Sequence, residues 1–428
     1  MTMKHRVVIV GGGVAGLDLA SQLAGNKHPE LDVRLIDREP AHVWKPMLHT
    51  IAAGTADTFP NQTAYLVQAR KRGFRYEPGE VVGVDRQSNQ VEIALMVDGE
   101  GCELVPARKI AYDTLVLAAG SRANDFGTPG VSEHCMTIDS RCEAIACNDH
   151  LRIHMLKAIA SGTPLSIAIV GAGATGVELA SELMRLADIL EQHGASGLRK
   201  GLKVSLIESQ SRILGPFPDK IAAAAAEVLE ELGIDIHTHA RVQSADAQGF
   251  VLADGRRIDA ELRIWAAGVR APEFIAGIEG LEHSRQGQVV VGPTLMSAQD
   301  RAIFALGDCA SLTLPDRAGP LPTTAQVAYQ QSVYLGRQLP RMLNDDQVPP
   351  FRYRDFGSLV SLGGYDAYGT LGRFGLYRGG FLKGRVAQLG HAFLYRRHQA
   401  RLYGPLRGSL LWLADCISGA IRPTQRLG

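Results

Sequence analysis

Two stretches of the chain carry the same pattern of apolar and polar positions. In the first, Arg6 is followed by Val7-Val8-Ile9-Val10, a β-branched run without a polar break, which reads as a strand buried on both faces. It runs into glycines at 11, 13 and 16, after which apolar residues recur at helical spacing. A further apolar run, Val33-Arg34-Leu35-Ile36, ends at Asp37. In the second stretch, Ile167-Ala168-Ile169-Val170 leads into Gly171, Gly173 and Gly176, and Lys203-Val204-Ser205-Leu206-Ile207 ends at Glu208. Strand, glycine turn, helix, strand and acid therefore occur twice.

The rest of the pattern fits around these two units. Alternation at Val81 to Asp85 and at Val91 to Val97 predicts a small β-meander. Buried strands are predicted within Tyr112 to Ser121, ending in Ala118-Ala119-Gly120, within Leu262 to Val269, with its Ala266-Ala267-Gly268, and within Ile303 to Ala310, ending in Gly307-Asp308. Small residues at a strand's carboxyl end leave room for a cofactor. A helix is predicted from Asp139 to Ala160, joining the two units, and another from near Thr323. Ala187 to Leu202, rich in Gly and Lys/Arg, reads as an insertion.

The chemistry follows from the glycine spacing. Gly11 permits a tight turn, Gly13 lets the backbone approach a pyrophosphate, and Gly16 lets the helix pack closely. Gly12, Val14 and Ala15 complete the loop, whose free N–H groups and helix dipole suit phosphate. Asp37, followed by Arg38, stands where a carboxylate accepts from a ribose diol. Gly171, Gly173, Ala174, Thr175, Gly176 and Glu208 repeat the arrangement. With 47 glycines in 428 residues, such a triplet is expected about 0.6 times by chance, so strand, helix and acid carry the argument. Two units imply two dinucleotides, most economically a flavin and a nicotinamide. Glu208 favours NADH over NADPH, because a carboxylate repels a 2′-phosphate; Arg212 nearby works against that preference.

Composition changes the picture at one end only. The chain has 45 Lys and Arg against 44 acids, yet from Arg373 onward there are ten bases and one acid, Asp415. Leu410, Leu413, Ala414, Ile417 and Ile421 form one helical stripe, with Asp415, Ser418 and Arg422 opposite. Arg396, Arg397, Arg401 and Arg407 precede it and Trp412 adds an interfacial anchor, the profile of a helix lying in a membrane surface. The alternative is a terminal helix docked on the body or in a dimer interface. No run approaches the ~18 apolar residues of a spanning helix, and the start shows no signal-peptide core. The six cysteines form no metal-ligand cluster. Cys142 and Cys147, five residues apart on a helix, diverge by roughly 140° and read as ordinary helix residues. Nothing points to nucleic acid.

Three further features bear on function. The block Trp44-Lys45-Pro46-Met47-Leu48-His49 sits where the chain can fold over a flavin, or forms a surface loop with one buried Trp. Asp308 suits the ribityl hydroxyls of a flavin. Gln326 and Gln330 share a helix face.

With these residues in view the chain resembles the bacterial type II NADH dehydrogenases, single-subunit NADH:quinone oxidoreductases, essentially end to end. The similarity includes Trp44 to His49 and Gly357 to Leu362, and its narrower signals are the Ala325-Gln326-Val327-Ala328-Tyr329-Gln330 stretch and the basic tail. The resemblance implies an α/β fold of two Rossmann-like domains of the pyridine nucleotide-disulfide reductase type plus a C-terminal membrane-anchoring region. The expected boundaries are 1–155 and 286–350 for the FAD-binding domain, 156–285 for the NADH-binding domain and 351–428 for the C-terminal domain. It implies FAD on the first fingerprint, with Lys45, Val81, Ala119, Gly120, Asp308, Ala325 and Gln326 around it. NADH goes on the second, with Ala267 and Gly268. Gln326, Gln330 and Glu178 become the catalytic candidates. A hydride passes from NADH to FAD, then two electrons pass to a membrane quinone, ubiquinone or menaquinone, without proton pumping. The protein is expected to be monotopic on the cytoplasmic face of the cell membrane, bound to anionic lipid, and is a candidate homodimer. A ferredoxin reductase-like or sulfide:quinone reductase-like enzyme remains the alternative, and Thr324 and the pair Val327 and Tyr329 depart from some relatives.

Overall fold

A computed structural model describes residues 4–56, 62–363, 366–374, 377–383, 396 and 399–421. Contacts divide the chain into two compact units. The first comprises Met1–Trp44, Asn61–Arg122 and Val269–Tyr353; the second comprises Lys45–Pro60, Ala123–Gly268 and Arg354–Gly428.

The first unit is built on a five-stranded parallel sheet in the order Ile303–Ala305, Thr114–Leu117, His5–Val10, Leu31–Asp37, Arg75–Pro78. Val7, Val8 and Ile9 are fully buried in its central strand, as an unbroken β-branched run requires. The helix Val14–Leu23 follows the first strand directly. Against it packs the helix Ala325–Met342, whose buried face includes Val327, Ala328, Leu335 and Leu339. That helix starts where the Val327 N–H donates to the Thr324 hydroxyl at 3.3 Å, an N-cap that satisfies an otherwise orphan donor. The meander differs from expectation. Val81–Asp85 pairs with Gln90–Ile93, but Met96–Val97 belongs to a separate ribbon with Glu103–Val105. The break falls at Ala94, whose N–H turns to the Glu80 carbonyl at 2.8 Å.

The second unit repeats the plan with a four-stranded parallel sheet, in the order Ile234–His237, Leu202–Ile207, Leu165–Val170, Leu262–Trp265. The helix Arg141–Ser161 is capped by Ser140. Cys142 is exposed on it and Cys147 buried. The helix Ala174–Gln192 runs further than the sequence suggests, because Ala187 and Leu190 continue its buried face. Only Leu198–Gly201 of the expected insertion forms a separate short helix before the next strand. A three-stranded antiparallel sheet, Leu359–Leu362, Asp366–Phe374 and Tyr377–Lys383, belongs to this unit.

The terminal helix Pro405–Ile421 also belongs to the second unit. Leu406, Leu410, Trp412, Leu413 and Ile417 are 75%, 58%, 55%, 54% and 52% exposed. These apolar side chains are not docked against the chain's own body. Arg397 and Arg422 lie outside the described residues, as do the side chains of Asp415, Ser418 and Ile421. Among the described residues no helix is long and apolar enough to cross a membrane.

Candidate functional site

The first glycine loop is held from several directions at once. Gly11 has φ +99°, and a Cβ there would lie 2.4 Å from the Ala119 Cα, so the loop and the Ala119-Gly120 segment touch backbone to backbone. A Cβ on Gly16 would lie 1.8 Å from the Gly11 carbonyl oxygen; the glycine lets the helix start inside the turn. A Cβ on Gly13 would meet nothing within 4 Å, so its backbone faces open space. The Gly12 N–H donates to Asp37 Oδ2 at 2.6 Å and the Glu39 N–H to Oδ1 at 2.8 Å. The Gly12 carbonyl accepts from the Tyr65 hydroxyl at 2.9 Å and lies 3.0 Å from His42 Nδ1. Burial pushes the Asp37 carboxyl up, against the lowering effect of the two N–H donors. It pushes His42 down to about 4, so that ring is neutral. A cavity of about 420 Å³ opens beside Asp37, Arg38 and Val81 and is also lined by Arg122, Pro272 and Phe274.

Asp308 sits in the turn Gly307–Cys309. Its carboxylate accepts from Ser121 Oγ at 2.7 Å. The turn is pinned by Gln331, whose Oε1 accepts the Gly307 N–H at 2.6 Å, and by Gln288, whose amide donates to the Asp308 carbonyl at 3.0 Å. Ala325 opens the long helix, and Gln326 and Gln330 lie half-buried along its flank, beside the buried Gln331.

The second loop, in the second unit, reproduces the first. Gly171 has φ +103°, a Cβ on Gly176 would lie 1.9 Å from the Gly171 carbonyl, and Gly173 faces open space. Ala174 and Thr175 begin the helix. The Ala172 N–H donates to Glu208 Oε2 at 3.0 Å and the Gln210 N–H to Oε1 at 2.9 Å. Arg212 donates to the carbonyls of Phe217 and Gly215 at 2.9 and 2.8 Å, so its charge is engaged in the following turn. Ala267 and Gly268 follow the strand Leu262–Trp265, after the Ala266 N–H has bonded the Val170 carbonyl at 2.8 Å. Lys45 is exposed, in a short turn before the helix Leu48–Ala53.

Glu178 lies two residues beyond Gly176, on the same helix. It is buried, with His49 Nδ1 3.3 Å from one oxygen and the Ser361 N–H 3.1 Å from the other. Burial drives its carboxyl up to about 8. Asp18 occupies the matching place after Gly16, but there Ser332 Oγ and Gln22 Nε2 each donate at 2.7 Å to the same oxygen.

Comparison with known proteins agrees with this geometry. Residues 5–332 match the pyridine nucleotide-disulphide oxidoreductase family. A type II NADH:quinone oxidoreductase of Haemophilus influenzae is 35% identical over 99% of this chain and 100% of its own length. The chain belongs to the type II NADH:quinone oxidoreductases. A Staphylococcus aureus relative of the same description is 28% identical over 86% of this chain and 90% of its own. Among solved structures, NDH2 from Plasmodium falciparum in complex with NADH superposes with a TM-score of 0.83, at 19% identity, covering 99% of this chain and all of that one. The sulfide:quinone oxidoreductase of Aquifex aeolicus reaches 0.74 at 18% identity, covering 94% and 92%.

Several residues of this type II enzyme are invisible to motif reading. His42, Tyr65 and Gln331 reach the first-unit loops from other segments, and His49 and Ser361 reach Glu178. His49 closes the Trp44 to His49 block, so a signal existed, but the block suggested a loop and gave no partner for the imidazole.

Proposed function

We propose that the chain transfers reducing equivalents from NADH to a membrane quinone, with FAD held by the first unit and NADH by the second. The observation that carries this reading is the duplicated cradle, in which a backbone N–H of the loop fixes the ribose carboxylate while the neighbouring glycine stays uncovered. Those residues fit the two groups: Gly13 and Gly173 leave room for a pyrophosphate, and each carboxylate keeps lone pairs for a diol. Glu208 suits the free 2′-hydroxyl of NADH. Bound FAD supplies the two-electron chemistry that links nicotinamide to quinone.

The chain's own part is to hold and orient. Asp308, aimed by Ser121, would accept ribityl hydroxyls. The Thr324-capped helix N-terminus would favour negative charge nearby, by about 0.3–1 kcal/mol. Gln326 and Gln330 would position the quinone, and Glu178 would exchange a proton. The uncovered apolar side chains of the terminal helix, with Arg401 and Arg407 close by, support peripheral attachment to anionic lipid, which the proposal sets at the cytoplasmic face; a dimer would cover the same helix. A sulfide-oxidising reading is disfavoured by the thiols, since burial pushes Cys135 and Cys147 up to about 12 and no disulfide links the described cysteines.

Anaerobic stopped-flow with NADH, followed by a quinone analogue, tests the assignment. Gln330→Ala should slow reoxidation by quinone tenfold or more while NADH still bleaches the flavin at near wild-type rate. If both half-reactions keep their rates, the quinone assignment fails.

A further inference from the structure

Three segments of the second unit converge on one buried carboxyl. Glu178 comes from the helix Ala174–Gln192, His49 from the helix Leu48–Ala53, and Ser361 from the strand Leu359–Leu362. His49 Nδ1 lies 3.3 Å from Glu178 Oε2, and their side chains are 4% and 8% exposed. In such a place a bare charge is costly, whichever its sign. The pair is neutral overall only when it holds a single proton, on the carboxyl or on the imidazole. Loss of that proton leaves the buried pair with a net negative charge; a second one leaves it with a net positive charge. Two bases in contact therefore titrate as a unit.

We propose that His49 and Glu178 share one proton, and that His49 is a positioning residue which keeps that proton available for delivery to the quinone as it is reduced. The proposal rests on the reading of Glu178 as a catalytic residue. The balance is simple. Oxidation of NADH releases two electrons and one proton, whereas a quinone needs two electrons and two protons to become a quinol, so one proton per turnover comes from water. The proton given up by the Glu178 O–H makes good the second quinol O–H. The carboxylate left behind is reprotonated from water, with His49 as the second place where the proton resides. No electron passes through the pair.

His49 is the titratable side chain that the structure sets against Glu178. The helix Leu48–Ala53 carries no other titratable side chain, and the strand Leu359–Leu362 carries none. Glu182, one turn along the helix from Glu178, pushes the Glu178 carboxyl up and is itself 3.5 Å from Arg185. Of the short helix Leu198–Gly201, Arg199 is paired with Asp188 at 2.7 Å, and Lys200 is its other cation. Burial holds Glu178 up to about 8, in the direction a shared proton requires.

The test is the pH profile of the quinone half-reaction in the holoenzyme, together with the thermal midpoint across the same pH range. The wild-type rate should fall on the alkaline side in a single limb. Glu178→Gln should abolish the limb. His49→Gln and His49→Asn, which keep a polar side chain but cannot hold a proton, should move the limb to lower pH by about one unit, and should shift the pH dependence of the midpoint likewise. If Glu178→Gln abolishes the limb while both His49 variants leave it in place and only scale the rate, His49 is structural and the proposal is overturned. If Glu178→Gln keeps the limb, the catalytic reading of Glu178 falls as well.

Discussion

The loops at 11–16 and 171–176 differ in how their second residue is held. Both place that residue's N–H on a carboxylate, Asp37 in one and Glu208 in the other. In the first loop its carbonyl is bonded by the Tyr65 hydroxyl and faces the His42 ring. In the second the Ala172 carbonyl accepts the backbone N–H of Leu214 at 2.8 Å. A Cβ at position 12 would lie 2.4 Å from the Tyr65 ring, whereas Ala172 carries one without difficulty. The first loop is thus clamped by side chains and the second by main chain. A second contrast appears two residues beyond the last glycine of each loop, where Asp18 is satisfied by Ser332 and Gln22 while Glu178 faces a histidine. On the proposed assignment, the FAD loop is the one rigidified by aromatic and imidazole clamps, and the NADH loop, which would release its dinucleotide every turnover, does without them.

The largest effects should come where the two loops agree. Gly16→Ala and Gly176→Ala each drive a Cβ into a backbone carbonyl at under 2 Å. Gly16→Ala should yield a colourless protein. Gly176→Ala should yield a yellow one that NADH no longer bleaches. A yellow Gly16→Ala that NADH reduces normally would break the assignment of cofactors to loops.

The pH response should separate the loops by sign. His42 is held down to about 4 from 6.5, so the unfolded chain binds its proton first as pH drops. Stability linked to His42 is present above about 6.5 and is lost towards pH 4, by up to about 3 kcal/mol. Glu178 is held up to about 8 from 4.5, so the native chain keeps a proton the unfolded chain has released. Its contribution is present below about 4.5 and is lost as pH rises towards 8. Calorimetric midpoints should show His42→Asn flattening the acid side and Glu178→Gln flattening the alkaline side; exchanged effects would contradict both assignments.

Smaller effects probe the clamps themselves. Tyr65→Phe removes one hydrogen bond to the Gly12 carbonyl, at a cost of about 1–2 kcal/mol, and should loosen FAD measurably in a fluorescence release assay while KM for NADH stays unchanged. Glu208→Arg should raise KM for NADH about tenfold and improve use of NADPH. An unchanged preference removes Glu208 from the ribose role.

The parallel sheets and both loops were legible because their signals are local: a β-branched run, glycines at fixed spacing, an acid at the end of the next strand. The clamps were not. Tyr65 lies 53 residues from Gly12, and Ser361 lies 183 from Glu178, and no spacing rule connects them. The helix Ala174–Gln192 outran its expected end because its Gly- and Lys/Arg-rich flank hid the buried Ala187 and Leu190. Gln326 and Gln330 were visible as a pair, whereas Gln331, next in line, reveals its hold on Gly307 only in three dimensions.

That neighbouring glutamine has a further consequence. Through Gln331 and Ser332 one rod is lashed to the Gly307 turn and to the Asp18 carboxylate, while Gln326 and Gln330 ride on its flank. If the flank holds the quinone, as proposed, escape substitutions selected by an inhibitor there should gather on the flank and spare the lashings. An enzyme that tilted the rod to evade an inhibitor would loosen its grip on its own yellow pigment.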